Sequence, residues 1–560
     1  MNTPDTRAPQ GPGRFGSRHR RLRLVVGATA LVTAAALAMQ PATALPRAQQ
    51  HSLGCAELAR KVLSSSHVKT VTSKIVPASG AMPAYCQADL VPTRSINVRV
   101  ALPLSTADAG SGGTFTGAWN GRVLNLGGAG YAGSYWSDFS LPIQRGEVGS
   151  LTDTGHNADW CNATDPRTGL ANAQPDCGLA GGGFVLSPAG KLNTSQVDDF
   201  IDRSIHEQTV WTLALAKTYY GTAAQRNYWV GGSTGGRQGW QMAQKYGDRY
   251  DGFLLGYPAM NWNRFIIGEA WPAVVVNELL GRDGLSPAKS DAANAAAVAA
   301  CDSQDGVTDG VIAEPRRCSF DATDVKGLTA KEAEAVNLIW DGPRDADGDR
   351  LWGGITRGTS FSTLLPDGNG MSPMIETYVR YWLAQDANYD WRTNLTIKNF
   401  PQAFEASYRK FEQTAATDST NLSKVRHGKG KIIYYLGTND PLIVPFGSYN
   451  YQQRLFDRYG LQGTRSFVRT FYFPGVGHGD PTLTGTASAQ SQLLDALLAW
   501  TERGKAPESF DQKDRGTGTQ RTICAYPDVA TAPGANASCR TRTRVPADLV
   551  TQSLTAEDRP

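Results

Sequence analysis

The stretch at residues 227–245, NYWVGGSTGGRQGWQMAQK, decides how the whole chain is read. Tyr228, Trp229 and Val230 are the aromatic and β-branched residues that a short buried strand favours. Gly231, Gly232, Ser233, Thr234 and Gly235 follow, and Gln238, Met242 and Lys245 then continue at helical spacing. A strand, a G-x-S-x-G turn and a helix make a nucleophile elbow. Its glycines let strand and helix backbones approach closely, and its serine sits on a strained turn. With 60 glycines in 560 residues, the same pattern also arises as a plain Gly-rich turn. Chemistry at Ser233 therefore depends on whether the chain supplies a base, an acid and an oxyanion hole.

Working outward, residues 197–220 carry Ile201, Ile205, Trp211, Leu213 and Leu215 at mostly helical intervals, which predicts a helix leading into the elbow strand. Farther upstream, residues 96–102 (INVRVAL) alternate with period two, and residues 120–126 (NGRVLNL) predict the next strand. The latter runs into GGAGYAG, a Gly-rich loop that lacks both the G-x-G-x-x-G and the G-x-x-x-x-G-K-[ST] phosphate signatures. It is read instead as the early loop that lends an N–H to an oxyanion hole. Downstream, the texture changes after Pro258. Residues 259–428 are rich in Trp, Asn, Asp and Ala with weak strand signals, and are read as a largely helical inserted lid. Strand signals return at 431–437 (KIIYYLG) and 466–473, and Leu493, Leu494, Leu497, Leu498 and Trp500 form the apolar face of a last helix. Strand–helix alternation of this kind predicts an α/β fold with a mostly parallel sheet. The expected organisation is a core from 45–258 and 429–560, split by the lid.

The α/β-hydrolase arrangement presents its triad in the order Ser, Asp or Glu, His. Of seven histidines only His427 and His478 follow Ser233. His427 lies in a basic linker, KVRHGKG, whereas His478 lies in FPGVGHG, a flexible loop directly after a strand. A general base must reach the nucleophile from such a loop, so His478 is the candidate. Asp440, in LGTNDPLIVP after the preceding strand, is the candidate acid that orients the imidazole. The Thr234 backbone N–H is one expected oxyanion donor, and Gly128 or a neighbour in its loop is the other.

At the N-terminus, Arg14, Arg18, Arg20, Arg21 and Arg23 precede an apolar run from Leu24 to Ala38, and Ala42-Thr43-Ala44 offers a cleavage site. This predicts a signal peptide at 1–44 and a secreted protein; the alternative, an N-terminal anchor, suffers from a short apolar run. Those residues hold six Arg and one Asp, which leaves 49 basic and 50 acidic residues, so the net charge of +4 becomes −1. The basic balance thus says nothing for nucleic acid, and no other apolar run has the length to span a membrane. Eight cysteines fall into four local couples: Cys55 and Cys86, Cys161 and Cys177, Cys301 and Cys318, Cys524 and Cys539. An even number in an exported chain predicts disulfides, and nearest-neighbour pairing would close short loops, although sequence leaves the connectivity open.

Together these pieces resemble the tannase and feruloyl esterase family, which also includes a hydrolase of mono(2-hydroxyethyl) terephthalate. The matching segments are GGSTGGRQ (231–238), NLGGAGYAG, TDTGH (152–156), His206-Glu207, GTNDPLIVP and VGHG. The resemblance implies an α/β-hydrolase core with a large lid, Ser-Asp-His catalysis and esters of aromatic carboxylic acids as substrates. It also implies a disulfide between cysteines just before the serine and just after the histidine, and here those positions are Gly232 and Gly479. With that tether missing, a more mobile histidine loop is expected. The run CDSQDGVTDGVI (301–312) places three carboxylates within eight residues, hard oxygen donors that suit Ca²⁺, at a spacing that is not an EF-hand. The family's lid carries a matching loop, which implies a structural calcium held by Asp302, Asp305 and Asp309 with the carbonyls of Val307 and Val311.

In the lid, YVRYW (378–382) combines aromatics with Arg380, a guanidinium suited to stacking on a ring and pairing with a carboxylate; a solvent-facing helical Arg is the plainer account. The expected activity is that of a secreted serine esterase acting on a small aromatic ester. Esters of other acyl groups or polyester fragments, or a catalytically incompetent calcium-stabilised binding protein, are the alternatives.

Overall fold

Successive side chains of a strand point to opposite faces, and the central strands of this chain use both faces for core. In the computed structural model, which describes residues 52–93, 95–108, 119–156, 178–187, 189–366 and 371–542, nine strands form one sheet in the order β1-β2-β3-β5-β4-β6-β7-β8-β9. They are β1 (Thr70–Val76), β2 (Tyr85–Val91), β3 (Val98–Pro103), β4 (Arg122–Leu126), β5 (Val148–Thr152), β6 (Arg226–Gly232), β7 (Gly252–Gly256), β8 (Lys431–Gly437) and β9 (Val468–Phe473). From β5 through β9 all neighbours are parallel, and β1, β2 and β3 add an antiparallel edge. The sheet is therefore mostly parallel, as the alternation predicts.

Trp229, Phe253, Leu255, Ile432, Tyr434 and Leu436 pack on one face with Trp240 of the helix Thr234–Tyr246. Tyr228, Val230, Leu254, Ile433 and Tyr435 alternate with them and meet Leu493, Leu494, Leu497 and Trp500 of the helix Ala489–Arg503 on the other. Burial on both faces explains why β6 and β8 read as unbroken apolar runs. Each fully buried leucine of that last helix contributes about 1.5–3 kcal/mol of transfer free energy. The edge strand β1 instead alternates between exposed and half-buried positions. β1, β2, β5 and β7 have no counterpart in the sequence reading, because short strands in polar or Gly-rich surroundings carry weak periodicity.

Between Gly256, the end of β7, and Lys431, the start of β8, the described residues contain helices and loops but no strand. Helices Trp262–Gly268, Trp271–Leu280, Pro287–Cys301, Ala330–Asp341 and Phe400–Ala415 build this insertion. Its interior is continuous with the core: Trp262, Val274, Ile339, Trp382 and Phe400 belong to the same buried cluster as Trp229 and Trp240. Gln50–Pro560 accordingly forms one unit.

Three disulfides follow the nearest-neighbour pairing: Cys55–Cys86, Cys301–Cys318 and Cys524–Cys539. Cys161, Cys177 and the expected signal segment lie outside the described residues. No helix among the described residues is long and apolar enough to cross a membrane.

Candidate active site

β6 ends in Gly231-Gly232, and Ser233 sits at φ 54°, ψ −125° before the helix Thr234–Tyr246 begins. Positive φ in a non-glycine residue costs on the order of 1–3 kcal/mol and persists only where surroundings over-determine it. They do here. Ser233 N–H donates to the Gly256 carbonyl at 3.0 Å, and the Ser233 carbonyl accepts from Arg237 N–H and Ala259 N–H, each at 3.0 Å. The glycines are dictated by close approach. A Cβ on Gly231 would lie 2.5 Å from the Gly235 carbonyl oxygen, and one on Gly127 would lie 2.3 Å from the Gly235 Cα.

The three residues singled out by chain order meet at the ends of β6, β8 and β9. His478 Nε2 lies 3.0 Å from Ser233 Oγ, and His478 Nδ1 lies 2.8 Å from Asp440 Oδ2. Asp440 is fully buried, and its other oxygen accepts the backbone N–H groups of Leu442 and Ile443, each at 2.9 Å. Those two bonds fix the carboxylate so that its second oxygen faces the imidazole. A carboxylate in that position selects the tautomer with the proton on Nδ1 and leaves Nε2 to accept the serine proton.

Backbone N–H groups of the elbow helix and of the Gly-rich loop after β4 are the candidate oxyanion donors. Thr234 N–H is the first donor of that helix and has no hydrogen-bond partner among the described residues. For the other expected donor, Gly128 or a neighbour in its loop, Gly128 is occupied. Its N–H donates to Gln238 Oε1 at 2.8 Å, whereas the next N–H, on Ala129, has no partner among the described residues and Ala129 also lines the cavity. Gln238 thereby braces the Gly-rich loop against the elbow helix.

A cavity of about 530 Å³ opens over Ser233, Thr234 and His478. Trp262, Phe265, Met374, Leu442 and Ile443 give it an apolar wall, and Glu269 lies on the same lining. Sequence reasoning named none of these. Trp262, Phe265 and Glu269 stand at i, i+3 and i+7 at the start of the insertion, a helical spacing that was legible but had no visible destination. Arg380 does not reach this cavity. Its guanidinium donates to the Ala387 carbonyl, approaches Glu376 at 3.9 Å and lies over the Tyr381 ring, so it braces its own segment of the insertion.

The loop carrying His478 is held without a covalent tether. Tyr435 Oη–H donates to Asp480 Oδ1 at 2.5 Å, and burial raises the pKa of this carboxyl. The Tyr257 ring meets the imidazole edge-on with centroids 4.9 Å apart. Tyr257 also fills the space beside Gly232, where a Cβ would lie 2.5 Å from the phenol. Gly475 N–H donates to Asn439 Oδ1 and Asn439 N–H donates to the Val476 carbonyl, both at 3.0 Å, which ties this loop to the one carrying Asp440.

The acidic loop of the insertion is closed by Cys301–Cys318. Asp302 accepts the N–H groups of Asp309, Gly310 and Val311, Asp305 accepts that of Val307, and Asp309 pairs with Arg521. No group of three acidic, His or Cys residues converges as a metal cage among the described residues. Asp309 Oδ1 is nonetheless buried without a partner, and burial raises the pKa of Asp309 although Arg521 opposes it; Asp302 and Asp305 add to the rise.

A family model described as tannase and feruloyl esterase matches residues 115–541. A probable feruloyl esterase of Arthroderma benhamiae is 30% identical over 438 residues, covering 73% of this chain and 77% of the relative. Among solved structures, the fold is similar to that of tannin acyl hydrolase from Aspergillus niger (TM-score 0.69, 21% identity, covering 88% of this chain and 94% of that one). Feruloyl esterase B from Aspergillus oryzae is comparably similar (TM-score 0.68, 22% identity, covering 87% and 100%). The protein is a carboxylic ester hydrolase with an α/β-hydrolase fold, and the chain belongs to the tannase and feruloyl esterase family.

Proposed function

We propose that this chain is an exported serine esterase that hydrolyses esters of phenolic and other aromatic carboxylic acids through an acyl-enzyme. The observation that carries the mechanism is the hydrogen-bonded line from buried Asp440 through His478 to Ser233, with both spacings within 3.0 Å. Ser233 Oγ attacks the ester carbonyl while His478 Nε2 takes its proton. Negative charge on the former carbonyl oxygen is met by the N–H groups of Thr234 and Ala129, each worth a few kcal/mol of barrier in comparable sites. The imidazolium, stabilised by Asp440, returns the proton to the departing alcohol oxygen and leaves an acyl-serine. Water then attacks the acyl carbonyl with His478 as base, releasing the acid and restoring Ser233.

The aromatic-acid reading rests on the names of the relatives and on the aromatic and apolar wall of Trp262, Phe265 and Leu442. Export rests on the Arg-rich, then apolar N-terminus together with the disulfides. A structural Ca²⁺ in the loop closed by Cys301–Cys318 belongs to the same reading. Asp302, Asp305 and Asp309, with the carbonyls of Val307 and Val311, would hold it. Hard anionic oxygens and the unpartnered Asp309 Oδ1 suit that ion. Bound there, it would supply positive charge beside Asp309, whose pKa burial and the charges of Asp302 and Asp305 raise.

Hydrolysis of methyl ferulate, methyl gallate and a short-chain p-nitrophenyl ester by the mature protein, beside Ser233→Ala, tests the reading. Turnover of an aromatic-acid ester that disappears in the variant is the expected result. Turnover of the p-nitrophenyl ester alone would retain the serine esterase and discard the aromatic acid.

A further inference from the structure

Glu269 is an acid in an apolar place. It directly follows the helix Trp262–Gly268, 7% exposed, on the lining of the cavity that holds Ser233 and His478. Its side chain makes no hydrogen bond and no ion pair among the described residues. Together with Phe265, Trp271, Trp352 and Leu442 it also lines a second, smaller cavity. The other acidic residue on the lining of the Ser233 cavity, Asp138, is exposed and already accepts the N–H and hydroxyl of Ser140, at 2.8 and 2.5 Å. A carboxyl on an apolar cavity wall with no protein partner is costly to desolvate unless a ligand group pairs with it.

We propose that Glu269 is a specificity-determining residue whose carboxyl receives a ring hydroxyl of the substrate's acid portion. This rests on the aromatic-acid reading above and adds to it which aromatic acids are preferred. Burial, reinforced by the charge of Asp440, pushes the Glu269 pKa well above the usual carboxylate range. A carboxyl can accept a hydrogen bond through either oxygen and, when protonated, donate one, and a phenolic hydroxyl, which both donates and accepts, is complementary to it. A bare ring would leave the carboxyl desolvated and unpaired in the complex. Sites with a buried polar group discriminate most strongly against the analogue that lacks its partner.

The test compares kcat/KM for methyl 4-hydroxycinnamate and methyl cinnamate, which differ only in the ring hydroxyl, on the wild type, E269Q and E269L. The wild type should prefer the hydroxylated ester by about tenfold or more. E269L should bring the ratio to within about twofold of unity, and E269Q, whose amide also donates and accepts, should keep most of the preference. A wild type that turns over both esters without preference overturns the proposal with no variant needed. So does a preference that survives in E269L, or one lost equally in E269Q and E269L, which would mark a packing effect. A wild type that cleaves p-nitrophenyl acetate through Ser233 but neither cinnamate overturns the aromatic-acid reading itself, and this proposal with it.

Discussion

Asp440 acts on Ser233 only through His478, so its removal separates orientation from nucleophilicity. Asp440→Asn keeps the shape but inverts the hydrogen-bond logic, because an amide NH₂ facing Nδ1 favours the tautomer whose proton sits on Nε2. A loss of about 10⁴-fold in kcat with little change in KM is expected from steady-state kinetics. A loss below tenfold would mean that the imidazole is oriented by something else. Glu147, remote from the site, carries a pH signature. Its side chain is fully buried between Arg145 at 3.3 Å and Arg122 at 3.7 Å. Burial outweighs both cations and raises its pKa to about 7. A folded-state pKa above the unfolded value of about 4.3 means that the folded chain binds the proton more tightly. The associated stability is full below that unfolded value and fades as pH rises to about 7 and beyond, by on the order of 3 kcal/mol. Glu147→Gln should therefore flatten the dependence of Tm on pH between 5 and 8. Parallel curves for variant and wild type would count against burial as the dominant effect.

Strand ends and loops decide how these residues are held. The resemblance places cysteines at positions 232 and 479 and implies a looser loop without them. In the structure, the space beside Gly232 belongs to Tyr257, which also packs against His478, and Asp480 anchors the loop through Tyr435. Gly232→Ala should cost about 1–3 kcal/mol in urea unfolding because the methyl meets a ring wedged between two elements. In a Tyr257→Ala background the same substitution should cost much less, and strictly additive effects would show that the two positions do not share the space. Asp480→Asn weakens the anchor while keeping its shape. Faster amide exchange at Gly477 and Gly479 and a several-fold fall in kcat are expected, and unchanged exchange in that loop would show that Tyr257 alone suffices.

At the scale of the whole molecule, the insertion and the sheet share one buried cluster, so neither has a core that ignores the other. The proposed calcium predicts that the mature, oxidised protein melts several degrees higher in calcium-replete buffer than in chelator. An unchanged Tm in calcium-free and calcium-replete buffer would remove the metal from the description. Ser233, Asp440 and His478, the mostly parallel sheet and three of the disulfide pairs were legible in the sequence. Elbow glycines, apolar strand runs, chain order and short cysteine spacings are local signals or one-dimensional rules. The Gly-rich loop was legible too, but which of its N–H groups is left without a partner was not. Whether Gly128 or Ala129 offers a free N–H depends on Gln238, 110 residues away. Arg380 could be read as a substrate contact or, more plainly, as a solvent-facing helical Arg, and only folding shows it on the carbonyl of Ala387. The roles of Tyr257, Asp480 and Glu269 were likewise set by tertiary structure alone. Each is an ordinary residue in its own segment and gains its meaning from packing against groups distant in the chain, which no local period or motif encodes.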